Sequence, residues 1–206
     1  MKNDKELRAY MCDVSTRSDE QHGNILEGIP IVYDAATDIG GMWKEIIDRG
    51  ALDQADLKDV RFLVNHDVDS IPLARSRNNN ENSTMQMTVE PDGLHIRVDL
   101  DTEGNPRAKE LYSAVKRRDI SGMSFMFSVK DDRWENIDSD YPTRHITALD
   151  KVFEVSAVTF PAYEQTSINA RSVETGKASL DSAREALENA RKVEELRKQI
   201  IERCKK

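Results

Sequence analysis

The chain has 206 residues, 38% hydrophobic and 33% charged, with a formal net charge of −8. That length suits one domain with an appendage, and an acidic balance argues against nucleic acid as the main partner, because duplex binding needs a basic surface. No run of about 18 apolar residues occurs, so no membrane span is expected, and Met1 to Glu6 lacks the apolar stretch of a secretory signal, so a soluble protein that stays where it is made is expected.

In chain order, Ile25 to Val32 predicts a strand, bulged or at an edge because Gly28 and Pro30 interrupt it. Met42 to Arg49 places Trp43, Ile46 and Ile47 at helical spacing and stops at Gly50, which predicts a helix. Val60 to Val64 is a short apolar strand, and Arg75 to Ser83, with Asn78-Asn79-Asn80, a polar linker. Thr84 to Val89 and Leu94 to Leu100 alternate around Pro91-Asp92-Gly93 and predict a hairpin. Asn105-Pro106 opens a helix through Arg118 that buries Leu111, Tyr112 and Val115.

Ile120 to Val129 and Lys151 to Phe160 are the expected central strands, joined by an acidic loop, Asp131 to Pro142, with Trp134 as its anchor. Alternation puts Met123, Phe125, Phe127 and Val129 on one face, and Ser124 on the other with Met126 and Ser128. The same rule groups Glu154 with Val152, Ser156, Val158 and Phe160. Residues 172–179 read as a polar joint. Beyond it Leu180, Ala183, Leu187, Ala190, Val193, Leu196 and Ile200 mark an amphipathic helix. Residues 177–206 carry +3, which leaves −11 for the rest. Cys12 and Cys204 have no metal or redox spacing and read as reduced thiols.

Three side chains are the leading candidates for the chemistry. His66 ends the strand Arg61-Phe62-Leu63-Val64-Asn65-His66, Ser124 lies inside the second strand and Glu154 inside the third. A serine becomes a nucleophile when a base takes its proton, histidine suits that role near neutral pH, and a carboxylate can orient the imidazole. A carboxylate on a mostly apolar face needs a partner. From the residues alone other assignments stay open. Ser121 and Ser128 compete for the nucleophile, Asp150 and His145 for the third role. Asp67 and Asp69 beside His66 offer a rival metal-dependent hydrolase. His22 and His95 have no comparable context. Arg75 is a candidate oxyanion donor.

These segments resemble the prohead (capsid-maturation) proteases of tailed phages, a family related in fold to the herpesvirus assembly proteases. The resemblance runs over residues 8–170, through Leu26-Glu27-Gly28, Trp43 to Leu52, Asn65-His66-Asp67, Ile71 to Arg75, Ser121 to Phe125 and Glu154 to Tyr163. Met126 stands where that family often has glycine, which bears on the width of the substrate cleft. The resemblance implies an α+β fold with a mainly antiparallel, closed or nearly closed β core, herpesvirus-protease-like, with surrounding helices and a C-terminal amphipathic helix. It implies a protease domain over 1–170 and a joint and helical tail over 171–206. It also implies a serine endopeptidase with His66, Ser124 and Glu154 as its triad and no cofactor or metal. Its partners would be the major capsid protein or the scaffolding protein, and itself by autocleavage, with self-association left open; the polar joint, without strand or helix pattern, is the expected place of that autocleavage, between Ala170 and Ser179. The place of action would be the host cytoplasm, inside the assembling procapsid. The alternative is a catalytically silent capsid-assembly module of the same fold.

Overall fold

The structure, a computed structural model, describes residues 5–10, 14–19, 23–160 and 167–204. The strands are β1 (Lys5–Tyr10), β2 (Val14–Asp19), β3 (Gly23–Val32), β4 (Thr37–Ile39), β5 (Trp43–Ile47), β6 (Asp59–Val64), β7 (Ala74–Arg77), β8 (Met85–Glu90), β9 (Gly93–Leu100), β10 (Gly122–Glu135) and β11 (Thr143–Val158). The helices are α1 (Pro106–Lys116) and α2 (Ser167–Cys204). Seven strands form one sheet, in the order β1-β10-β11-β5-β4, with β6 on β11 and β7 on β6. A four-stranded sheet, β2-β3-β9-β8, faces it. Leu26, Ile31, Leu94 and Ile96 of the smaller sheet share one apolar core with Phe62, Phe125, Phe127 and Val155 of the larger.

The hairpin β8–β9 forms as expected, antiparallel from Met85↔Val98 to Glu90↔Gly93. Gly93 is required there, since a β-carbon would fall 1.9 Å from the Ile31 carbonyl oxygen. The register of β3 against β9 slips between Gly28 and Ile31, the predicted bulge. Asn105 caps α1 by accepting from the Arg107 N–H at 3.0 Å, and the helix buries Ala108, Leu111 and Val115.

Several expectations are corrected. The segment from Met42 holds a strand, not a helix: Trp43, Glu45 and Ile47 are buried alternately, a period of two that the aromatic and β-branched residues also favour. The acidic loop is short, because β10 runs to Glu135 and β11 begins at Thr143. The β core is mainly antiparallel, as expected, but the larger sheet is not closed. On one side β11 takes two separate parallel partners, β5 at residues 143–146 and β6 at 154–157. Alternation along β11 also breaks, since Met126 opposes Glu154 while Phe127 opposes Val152. The extra residue, Phe153, is a bulge. It moves Val152 into the core, off the face of Glu154.

Residues 172–179 are helical, a stretch within α2 rather than a joint without regular structure. Gly176 meets Trp43 so closely that a β-carbon would lie 2.5 Å from its Cζ2. Trp43 and Trp134 stack edge to face at 5.7 Å. Trp134 Nε1 donates to Ser179 Oγ at 3.0 Å, and Leu180 is buried. Residues 191–202, by contrast, are exposed. Truncation after Ala170 is therefore expected to lower the melting temperature by about 10 °C, from the loss of roughly 2–5 kcal/mol of aromatic burial. Truncation after Ala190 is expected to change it little. Thermal melts of the two forms, followed by circular dichroism, check this.

Under the helix lies a buried charge cluster. Glu6 and Arg8 of β1, Glu45 of β5 and Arg144 of β11 are all almost fully buried. Arg8 Nη2 donates to Glu6 and Glu45 at 2.7 Å each. Arg144 donates to Glu6 at 2.8 and 3.0 Å, to Glu45 at 3.1 Å and to Asp132 of β10 at 2.6 Å. Ser179 Oγ lies 2.9 Å from the Asp132 carboxylate, which ties α2 to the cluster. Burial favours neutral groups, but the Glu45 and Glu6 charges outweigh it and hold Arg8 and Arg144 above their usual range. Burial would likewise raise the Glu45 carboxyl, yet Arg8 and then Arg144 hold it below its ordinary value.

Candidate active site

β6 ends at Val64, and the chain then takes two consecutive left-handed residues, Asn65 (φ 51°) and His66 (φ 58°). Such conformations cost non-glycine residues of order 1 kcal/mol each, and asparagine tolerates them better than most. The turn is held by a clamp to the end of β11. Asn65 N–H donates to the Ala157 carbonyl at 2.9 Å, its Nδ2 to Thr159 Oγ1 at 3.1 Å, and its Oδ1 accepts from Thr159 N–H at 2.9 Å.

This turn swings His66 back toward β11. Its Nδ1 lies 2.7 Å from Glu154 Oε1. The other carboxylate oxygen, Oε2, accepts from Ser156 Oγ at 2.5 Å, and Ser156 Oγ in turn accepts from the His66 N–H at 3.2 Å. Glu154 is almost wholly buried, as is Ser156. An ionised carboxylate only accepts, so the proton of a neutral imidazole sits on Nδ1 and Nε2 keeps its lone pair. The chemical capacity of the pair is that of an oriented base.

Ser124 stands one strand away. It is directly opposite Ser156 across the β10–β11 pair, which puts the two β-carbons roughly 4.5–5.5 Å apart. It faces the same side of the sheet as Glu154 and Ser156, yet it is fully buried rather than open to a cleft. β1 runs antiparallel along β10 with Ala9 opposite Ser124, and Ser124 Oγ donates to the Arg8 carbonyl at 2.7 Å. Among the described residues no hydrogen bond joins Ser124 to His66. Met126 is the next residue on that face and opposes Glu154.

The remaining candidates lie elsewhere. Ser128 Oγ donates to Asp150 at 3.2 Å, which pairs two of the rivals with each other. His145 Nδ1 bonds Asp48 at 2.6 Å. It precedes Glu154 by nine residues, about 30 Å of extended strand. Ser121 is exposed ahead of β10. Arg75 is committed to a two-point pair with Asp59, at 2.6 and 2.9 Å. Asp67 accepts from Ser70 and from Arg107 of α1. The Ser70 hydroxyl, and then Arg107, hold its carboxyl below the usual range. Among the described residues, three-ligand convergence occurs only at the exposed Glu90 and Asp92 with the half-buried His95, not at His66. His22 lies outside the described residues.

Sequence reasoning missed Ser156 and Asn65 as parts of this site. The signals were present: a small polar residue two positions from Glu154 on the same strand face, and an asparagine before the histidine at a strand end.

No curated protein matches the chain in sequence. Among solved structures, the bacteriophage T4 capsid assembly protease, gp21, is similar at a TM-score of 0.40 and 15% identity, over 77% of this chain and 100% of that one. The model of the caudovirus prohead serine proteases matches residues 12–179. That span takes in β2 to β11 and the first third of α2, with His66, Ser124 and Glu154 all inside it. A match over most of the chain shows the family: this chain belongs to the caudovirus prohead serine proteases.

Proposed function

We propose that the protein is a serine endopeptidase of procapsid maturation in which Ser124 is the nucleophile, His66 the general base and Glu154 the acid that orients it. The observation that carries this reading is the His66–Glu154 hydrogen bond, on the sheet face that also bears Ser124, in a chain of this family. Catalysis starts when Ser124, fully buried here, is uncovered to the substrate and its hydroxyl leaves the Arg8 carbonyl. One hydrogen bond is lost, at a net cost of about 0.5–1.5 kcal/mol, through a step between staggered rotamers. Ser124 Oγ then attacks the scissile carbonyl carbon while His66 Nε2 takes its proton. The imidazolium is stabilised by Glu154, which stays ionised. His66 returns that proton to the leaving amine as the C–N bond breaks, which leaves an acyl-enzyme. Water, deprotonated by His66, attacks the ester, and Ser124 regains its proton as the new carboxylic end departs.

The substrates in this proposal are the scaffolding protein or the major capsid protein, met inside the assembling procapsid in the host cytoplasm. The enzyme's own chain is a further substrate. Because residues 167–204 are helical, cleavage between Ala170 and Ser179 requires local unwinding of that helix.

The buried, carbonyl-bonded state of Ser124 favours one rival, a catalytically silent assembly module. Labelling with a fluorophosphonate probe separates the two. Modification mapped to Ser124 by mass spectrometry and lost in His66→Ala is the expected result. A chain that shows no His66-dependent label is the silent module, and a label on Ser121 would move the nucleophile.

A further inference from the structure

We propose that Ser156 is a positioning residue of this site, its hydroxyl fixing both the Glu154 carboxylate and the His66 backbone; the inference rests on the reading of His66 as general base. Three hydrogen bonds and the covalent frame of His66 close a ring. His66 Nδ1 meets Glu154 Oε1 at 2.7 Å, and Ser156 Oγ donates to Oε2 at 2.5 Å. The His66 N–H donates to Ser156 Oγ at 3.2 Å, and the His66 main chain returns to its own ring. Ser156 thus uses its single proton on the acid and a lone pair on the residue that bears the base.

The terminal torsion of a glutamate is broad, so a carboxylate held through one oxygen can turn about its axis. A second donor on Oε2 removes that freedom. It also satisfies an oxygen of a carboxylate that is almost wholly buried, where an unpaired acceptor is costly. The His66 N–H lies in a left-handed turn that offers it no strand ladder. Ser156 is therefore the anchor of that turn on the catalytic side, as Asn65 is on the other. Tilts of 10–20° at a catalytic group matter, and misplacement by about 1 Å can cost 100-fold.

Saturable labelling of Ser124 by a fluorophosphonate probe in the full chain tests this. The maximal labelling rate and the half-saturating concentration are read separately. Ser156→Ala is expected to lower the maximal rate about 10- to 100-fold and leave the half-saturating concentration unchanged. Ser156→Thr, which keeps the hydroxyl, is expected to restore the rate to within about threefold. Ser156→Cys, close in volume but a weak donor, is expected to fall between them. The cysteine variant decides the matter if alanine proves too unstable to assay. A maximal rate in Ser156→Ala or Ser156→Cys equal to that of the parent chain overturns the inference while His66-dependent labelling still stands. Absence of that labelling in the parent chain overturns the reading of the base, and this inference with it.

Discussion

His66→Ala and Ser124→Ala are each expected to abolish peptide cleavage, by factors of roughly 10⁴–10⁶, and the double variant is expected to be no worse than either. The reason lies in the shared step. Without the base the Ser124 proton has no acceptor, and without Ser124 the base has nothing to activate. Glu154→Gln is expected to be milder, and the ring of contacts says why. A glutamine can present its carbonyl oxygen to His66 Nδ1 and its amide to Ser156 Oγ, which then accepts from both the amide and the His66 N–H. The tautomer with the proton on Nδ1 survives, and what is lost is the charge facing the imidazolium. The measurement is cleavage of a co-expressed capsid or scaffold protein, with new termini mapped by mass. A fully active His66→Ala would remove the base from the mechanism, and a dead His145→Ala beside an active Glu154→Gln would transfer the third role.

Arg144→Met is expected to cost about 3–5 kcal/mol of stability, because it leaves Glu6 and Glu45 buried with one cationic partner fewer. Chemical denaturation would read this as a lower midpoint. Its pH dependence has a definite sign. The folded Glu45 carboxyl is held below its ordinary value by Arg8 and Arg144 despite burial. Its contribution is therefore complete above the unfolded value, about 4.3, and is lost as pH falls through the folded one. The parent chain should lose stability steeply in acid, and Arg144→Met should show a shallower acid limb. An unchanged midpoint at neutral pH would mean that Arg8 alone suffices for both carboxylates.

The hairpin, the bulge in β3, the capped helix and the two central strands were legible because each rests on local chemistry: alternation, turn residues, an asparagine before a proline. The first strand after the polar turn at Gly40-Gly41 was not. Trp43, Ile46 and Ile47 fit a helical stripe as well as Trp43, Glu45 and Ile47 fit a strand. What decides is Glu45, which reads as surface until Arg8 and Arg144 are brought to it from far along the chain. The bulge at Phe153 was hidden for a similar reason, since only pairing with β10 shows that Val152 and Glu154 face opposite ways. At the site, the residues alone left Glu154, Asp150 and His145 open as partners of His66, and the resemblance singled out Glu154, the carboxylate that the structure places 2.7 Å from Nδ1. The Arg8 carbonyl on Ser124 was not, because backbone acceptors leave no trace in a sequence. The helical 172–179 stretch was misread for want of its partners, Trp43 and Trp134.

The buried cluster also sets a clock on synthesis. Glu6 and Arg144 are 138 residues apart, and His66 and Glu154 are 88 apart. At about 5–20 residues per second, roughly 7–28 s separate the emergence of the first strand from that of its cationic partner. By then β10 is made but β11 has only begun: Glu154 follows, and the His66 turn has nothing to lean on until it does. Contacts this distant in sequence form late and together. On the proposed roles, a growing chain carries its base for roughly 4–18 s, the time to make 88 residues, before the acid that orients it exists.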